Sequence, residues 1–308
     1  MRALFVVNPN ATTAGASNPT VLAATLGAET DLTIVPTERR DHATEIAERA
    51  ADDGVDLVIA HGGDGTVNEI VNGLMRVPAE RRPMLAVVPG GHGNVFSRAL
   101  GQSTDPAEVT DRLAEAIRDG VRRRISLGDV GGRFFTFAAG FGFDARVVRQ
   151  VDLGRKAGRS ATTPQYVAAS LREYMRSTPW RRAPLTLITP SGMMTPGLHL
   201  LIVANTTPWT YLGDQPLHAC PDASFDTGLD ILGLRRFGPA TLAQTFAQVL
   251  TAASPRHRHL LRLHDLDGVS IHSHLPISVQ LDGEYAGEVT TANVRAHREA
   301  LTVVPGIG

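Results

Sequence analysis

Apolar residues in the first 120 positions follow two alternating rhythms. Short apolar runs at Ala3–Val7, Leu32–Val35, Asp56–Ala60 and Met84–Val88 each stop at a Gly, Pro, Asn or His. Between them apolar positions recur at helical spacing over Pro19–Leu26, Asp41–Asp52, Val67–Met75, Val95–Leu100 and Asp105–Arg118. Uninterrupted short runs suit strands buried on both faces, and the helical stretches suit right-handed crossovers between them. The pattern predicts a parallel α/β sheet, in which ligands bind beyond the carboxyl ends of the strands. Three of those ends carry unusual turns: Asn8-Pro9-Asn10, His61-Gly62-Gly63-Asp64-Gly65-Thr66 and Pro89-Gly90-Gly91-His92-Gly93-Asn94. All three are expected on one edge.

Beyond Arg124 the rhythm changes. Phe134–Phe137, Leu185–Ile188, Leu198–Ala204, Leu229–Leu234, Val269–Ile271 and Ile277–Leu281 read as strands separated by Gly, Pro and Asp turns. Helical stretches interrupt them near Pro164–Arg176 and Pro239–Ala252. An antiparallel β domain is predicted over 125–295, after an α/β domain of 1–124 to which about 296–308 return through Ala300–Val304.

The chemistry gathers at the glycine-rich turns. Glycine lets a backbone turn tightly and approach a ligand closely. A helix beyond such a turn offers free N–H groups and a positive dipole end to an anion. Thr66 can cap the helix after Gly62–Gly65 or bond a phosphate oxygen, with Asn68 and Glu69 close behind. An ordinary strand-to-helix turn capped by Asp64 or Thr66 is the plainer alternative. The second glycine-rich turn, one strand later, favours phosphate.

Neither turn is a Walker A loop, because no Gly-Lys-Ser/Thr occurs and Lys156 is the only lysine. The protein-kinase set of strand lysine, His-Arg-Asp and Asp-Phe-Gly is missing. So is a Gly-x-Gly-x-x-Gly at the first strand-to-helix turn, where Asn8-Pro9-Asn10-Ala11-Thr12 stands. Phosphoryl transfer here has to use backbone amides, arginine and Mg²⁺ in place of lysine.

Together these segments resemble the diacylglycerol kinase catalytic domain, shared by soluble bacterial lipid kinases, sphingosine kinases and ceramide kinases. Val6-Val7-Asn8-Pro9 is similar to the family's opening strand and nucleotide loop, and Thr37 to its adenine-side segment. Gly62–Asn68 matches Gly-Gly-Asp-Gly-Thr-x-Asn residue for residue. Val88–Arg98 resembles Pro-x-Gly-Thr-x-Asn-Asp-Phe-Ala-Arg, with His92 in place of the threonine and Val95 in place of an aspartate. Gly140–Ala145, Asp226–Asp230 and Gln280–Glu284 also fit.

The resemblance implies an N-terminal nucleotide-binding domain of the NAD kinase/phosphofructokinase type and a C-terminal antiparallel β-sandwich that takes the lipid. It implies an ATP- and Mg²⁺-dependent lipid kinase with diacylglycerol as the default acceptor. Asn8, Pro9, Asn10, Thr12, Thr37, Gly62, Gly63, Asp64, Gly65, Thr66, Asn68, Gly91, His92 and Asn94 would bind the nucleotide, with Asp64 positioning Mg²⁺–ATP. The family's proposed base lies in the motif at Asp282-Gly283-Glu284, where either carboxylate could serve; Asp-Gly is also a common hairpin turn. Thr227 stands where the family's Mg²⁺ segment carries an acid, leaving Asp226 as the candidate ligand.

An NAD kinase shares Gly-Gly-Asp-Gly, but the terminal Asp-Gly-Glu favours a lipid acceptor. A nucleotide-binding protein without turnover is the rival from outside the enzymes.

Composition adds limits. A formal net charge of −1 argues against nucleic acid as a partner. Arg118–Arg182 holds 14 basic residues against 5 acidic, a face for anionic lipid or phosphate, or for solvent. Arg146, Arg149, Arg155, Lys156 and Arg159 belong to it, and Asp144 before them is a substrate contact or a helix N-cap. Trp209 and Tyr211 on a loop suit a membrane interface or packing. Five histidines between His257 and His274 follow no zinc spacing. With Cys220 as the only cysteine there is no intramolecular disulfide, which suits a reducing cytosol. The initial apolar run is too short for a signal peptide, and no run reaches the roughly 18 apolar residues that span a bilayer. A lipid acceptor would then be met at the membrane surface, by transient attachment to its inner face. The sheet edge or the β domain offers a surface on which a homodimer could form.

Overall fold

The uninterrupted N-terminal runs form parallel strands β1 (Arg2–Val7), β2 (Asp31–Pro36), β3 (Leu57–Gly62) and β4 (Met84–Pro89). Helices α1 (Pro19–Gly27), α2 (His42–Ala50), α3 (Asp64–Leu74), α4 (Val95–Ala99) and α5 (Pro106–Arg118) connect or follow them. The computed structural model describes residues 1–9, 11, 18–156, 184–236, 238–251 and 258–306. It divides into one unit of Met1–Leu127 with Arg298–Gly308 and another of Gly128–His297.

In the first unit the strand order is β2-β1-β3-β4. Alternation along the strands sends Phe5, Ile59 and Val88 to one face, where they pack with Leu22 and Leu26 of α1 and Val109 and Leu113 of α5. Helices α2 and α3 pack on each other and on β1 and β3. They approach so closely that a Cβ on Gly73 would lie 2.3 Å from the Thr44 carbonyl oxygen, which only glycine tolerates. Helix starts follow capping chemistry: Asn18 accepts from Thr20 N–H ahead of Pro19, and Asp105 from Ala107 N–H ahead of Pro106. Helix α3 begins at Asp64, earlier than the apolar spacing from Val67 suggests. Gly63 is its extended N-cap, and an acid in the first turn complements the helix dipole.

The second unit is antiparallel. Strands β5 (Arg123–Val130), β6 (Arg133–Phe135) and β7 (Ala138–Gly142) lead into α6 (Phe143–Lys156). Then come β8 (Leu185–Ile188), β9 (Met194–Leu198), β10 (Leu200–Ala204), the β11–β12 hairpin (Thr210–Leu212, Gln215–Leu217) and β13 (Leu229–Leu234). Helix α7 (Pro239–Val249) precedes β14 (Leu260–Leu266), β15 (Gly268–Leu281) and β16 (Glu284–Val303). Here the order is β14-β13-β10-β7-β15-β16, with β8 also beside β15.

Phe135, Phe141, Leu201, Ile231, Ile271 and Val279 fill this unit's core. The two apolar runs 269–271 and 277–281 belong to one strand, β15, whose register breaks between His272 and Ile277. Pro276 lies in that break and has no N–H to give the ladder. The far end of β16 returns to the first unit, where Val303 pairs in parallel with Leu85 of β4. The helical stretch read at 164–176, together with Arg159, lies outside the described residues, as do the side chains of Arg155 and Lys156.

Candidate active site

Strand order places the N-terminal turns. Winding proceeds from β1 to β2 on one side and from β3 to β4 on the other, so it reverses between β1 and β3, the usual ligand position of an open α/β sheet. Asn8 follows β1 and donates its N–H to the His61 carbonyl at 2.9 Å; Gly90 after β4 does the same to Gly62 at 2.9 Å. Asn8 Nδ2 donates to Thr66 Oγ1 at 3.0 Å, and Thr37 N–H to the Val7 carbonyl at 2.8 Å. Asp64 Oδ1 accepts the Phe96 N–H at 3.1 Å, tying the two glycine turns together. The described members of all three turns therefore share one edge.

At that edge the N-cap of α3 is Gly63, which has no side chain to cap the helix, and a helix start of this kind turns its amides toward an anion. Asn94, in the left-handed region at φ 46°, closes the second turn on itself. Its Oδ1 accepts from Gly91 N–H at 2.9 Å and its Nδ2 donates to the Gly91 carbonyl at 2.7 Å. Pro9 and His92 are exposed on the rim, while Asn68 is buried and accepts from Asn72 Nδ2 at 3.1 Å. His61 lies beneath, its ring stacked on Phe5 at 5.7 Å, and burial holds its pKa below the ordinary value. It is a packing residue. Asn10 and Thr12 lie outside the described residues.

The two turns touch backbone to backbone. A Cβ on Gly91 would sit 2.7 Å from Gly63 Cα, against 3.3 Å for a Cβ on Gly63 facing Gly91 Cα. Gly91→Ala is expected to push the turns apart and weaken ATP binding about tenfold or more, since misplacement of about 1 Å costs that much or more in phosphate positioning. Gly63→Ala should be milder. Titration with a fluorescent ATP analogue checks the order, and equal affinity in both variants would refute the packing argument.

In the second unit Asp282 and Gly283 join β15 to β16, both with positive φ (49° and 76°), the turn that Asp-Gly favours in a hairpin. Asp282 is 5% exposed. Its Oδ2 accepts from Thr136 N–H at 2.7 Å and Thr136 Oγ1 at 2.8 Å; its Oδ1 accepts from Phe137 N–H at 2.9 Å and Ala138 N–H at 3.1 Å. Burial works to raise its pKa. Yet these four partners are all donors, so the ionised carboxylate is the form that fits. The Glu284 side chain, 32% exposed, has Arg133 at 3.8 Å. One hairpin thus holds two carboxylates of opposite character, a buried clasp and a solvent-facing group.

Gln280 fastens the same turn. Its Oε1 accepts the Gly283 N–H at 2.8 Å, and its Nε2 donates to Asp144 Oδ2 at 2.9 Å. Asp144 lies in the first turn of α6 and is buried; that burial pushes its carboxyl up to about 6, against the Gln280 bond. Strand β7 admits the pair only because residue 140 is glycine, where a Cβ would lie 2.0 Å from Asp144 Oδ2. Sequence reasoning quoted Gln280 without giving it a role and missed Thr136 and Arg133, whose partners are distant in the chain.

Asp226 is exposed, its N–H bonded to Ser224 Oγ at 3.2 Å; Thr227 Oγ1 donates to the Ser224 carbonyl at 3.0 Å. Among the described residues no three His, Cys, Asp or Glu side chains gather as a metal site. This turn alone does not fit a protein-held ion. His264 pairs with Asp230 at 2.8 Å, and His257 lies outside the described residues. Trp209 packs against the core of Ile202, Ala219, Cys220 and Leu232.

Comparison with known proteins gives this geometry its family. The profile of the diacylglycerol kinase catalytic domain matches residues 2–130. A diacylglycerol kinase of Bacillus subtilis is 33% identical over 268 residues, covering 85% of this chain and 82% of its own. The chain belongs to the diacylglycerol kinase family. This lipid kinase is also 30% identical to a Staphylococcus epidermidis diacylglycerol kinase, over 86% of the chain and 80% of that protein. A crystal structure from Bacillus anthracis str. Sterne superposes with TM-score 0.76 at 25% identity, covering 98% of this chain and 96% of that one. The kinase family implies ATP and a lipid as substrates. No helix among the described residues is long and apolar enough to cross a membrane.

Proposed function

We propose that this lipid kinase transfers the γ-phosphate of Mg²⁺–ATP to the hydroxyl of diacylglycerol, giving phosphatidate, while attached peripherally to a membrane surface. The uncapped start of α3 between two interlocked glycine turns carries the nucleotide half of the reading. Amides of Gly62, Gly63 and Gly65 cradle phosphate oxygens, Thr66 adds a hydroxyl, and Gly91, its own amide bonded to Asn94, closes the second turn beside them. Asn8 and Thr37 border the nucleotide. Asp64 is the carboxylate for the Mg²⁺ that the nucleotide brings, an ion that neutralises charge developing on the phosphates.

Glu284 supports the acceptor half. It takes the proton of the lipid hydroxyl as that oxygen bonds to phosphorus and the bond to the β-phosphate oxygen breaks. Asp282, already bonded to four donors, is a positioning residue in this reading.

A radiolabelled-ATP screen over diacylglycerol, phosphatidylglycerol, ceramide, sphingosine and monoacylglycerol, with and without Mg²⁺, tests the proposal. Labelled phosphatidate that depends on Mg²⁺ is the expected product. Label on another acceptor would keep the chemistry and move the substrate. No labelled lipid from any acceptor would sink the reading.

A further inference from the structure

Helix α7 is amphipathic the wrong way round for a surface helix. Its sequence, Pro-Ala-Thr-Leu-Ala-Gln-Thr-Phe-Ala-Gln-Val, contains no charge. The residues it buries are Thr241 and Val249. Opposite them, at helical spacing, stand Ala243, Phe246, Ala247 and Leu250, the first three exposed and Leu250 half-buried. An ordinary surface helix turns such a stripe inward. Phe246 is 49% exposed and is the only phenylalanine among the described residues that stands exposed.

Charge gathers ahead of the helix. Strand β13 stops at Leu234, shortly before Pro239 opens α7, and Arg235 N–H donates to the carbonyl of His259, just before β14, at 2.9 Å. Arg235, Arg236 and Arg258 are exposed there and form no ion pair among the described residues. Arg118, Arg124, Arg133 and Arg149, by contrast, each face a glutamate. Crowding shows at His259, whose pKa is lowered by burial and then by the charges of Arg258 and Arg236. Neither 235–251 nor 258–259 contains an acidic residue.

We infer that α7 is a membrane-docking surface, with Phe246 entering the headgroup boundary of an anionic bilayer and Arg235, Arg236 and Arg258 meeting its phosphates. An apolar helix face beside arginines matches a bilayer interface on both counts. A second copy docked about a two-fold axis through this face would bring the same three arginines and no acid to answer them. The inference rests on the reading of the acceptor as a bilayer lipid and says where the enzyme meets it.

Flotation of the full chain with phosphatidylcholine vesicles, with and without phosphatidylglycerol, gives the test. Wild type should float only with the anionic vesicles, and less so as salt rises. Phe246→Gln should weaken binding about tenfold, and each of Arg235→Gln and Arg236→Gln roughly fivefold, the value of one basic residue near an anionic surface. Phe246→Trp should be quenched by brominated acyl chains. Turnover of vesicle-borne lipid should fall in Phe246→Gln, with turnover of a short-chain, dispersed acceptor unchanged. Equal flotation of wild type and Phe246→Gln, absence of quenching, or a wild-type dimer that Phe246→Gln dissociates would overturn the inference. If no lipid is phosphorylated by any variant, the acceptor reading fails, while flotation still decides the surface.

Discussion

Glu284→Gln is expected to lower kcat by on the order of 10²- to 10⁴-fold, the usual contribution of a positioned general base. The amide keeps the size of the carboxylate and its reach toward Arg133, but it cannot accept the acceptor's proton. Binding should hardly change, so the KM for ATP and for lipid stays close to wild type. Stability should also stay within about 1 kcal/mol, because the group is partly exposed and its 3.8 Å contact with Arg133 is a surface pair. Steady-state kinetics beside a thermal melt separates these effects. A variant with wild-type kcat would remove Glu284 from the reaction. One with a strongly lowered melting temperature would make its role structural.

The N-terminal unit was legible because β1, β3 and β4 are buried on both faces, whereas β2, at the sheet edge, is largely exposed and was read from its apolar run alone. Phe5, Ile59 and Val88 leave no polar position to blur the runs, and each run stops at a turn residue. The second unit was harder to read. Strand β16 runs from Glu284 to Val303 with charged and polar residues along most of its exposed side, so apolar spacing showed only its last residues. Pro276 split β15 into two apparent strands. At the site, the three glycine and asparagine turns could be named from sequence, since each lies at a strand end. The division of labour between Asp282 and Glu284 could not. Both belong to one three-residue motif, and what separates them is Thr136–Ala138, about 145 positions away in the chain. The hairpin and the family's acid motif had looked like competing readings. One turn accommodates both: burying Asp282 fixes the hairpin that carries Glu284, the base in the proposal above.

That division predicts the opposite outcome for Asp282→Asn. Asparagine tolerates the left-handed backbone at residue 282, so the substitution leaves the turn unstrained and tests the hydrogen bonds alone. One of its two terminal atoms becomes an NH₂ group. Turned toward Phe137 and Ala138, that group leaves both N–H donors without an acceptor; turned toward Thr136, it leaves only the Thr136 N–H without one, because the hydroxyl can rotate to accept from the NH₂. In either orientation a buried donor is stranded and the remaining bonds lose their charge. The cost should be about 3 kcal/mol or more. For a unit of this size that lowers the melting temperature by roughly 6–12 °C. Asp282→Ala should be worse, since it removes the acceptor for all four donors and adds about 1–2 kcal/mol of left-handed strain. Below its melting point Asp282→Asn should keep more turnover than Glu284→Gln, because the proton acceptor survives on a loosened turn. Differential scanning calorimetry and kinetics on both variants decide the matter. An Asp282→Asn protein with an unchanged melt and turnover as low as that of Glu284→Gln would exchange the two roles, making the buried carboxylate the base.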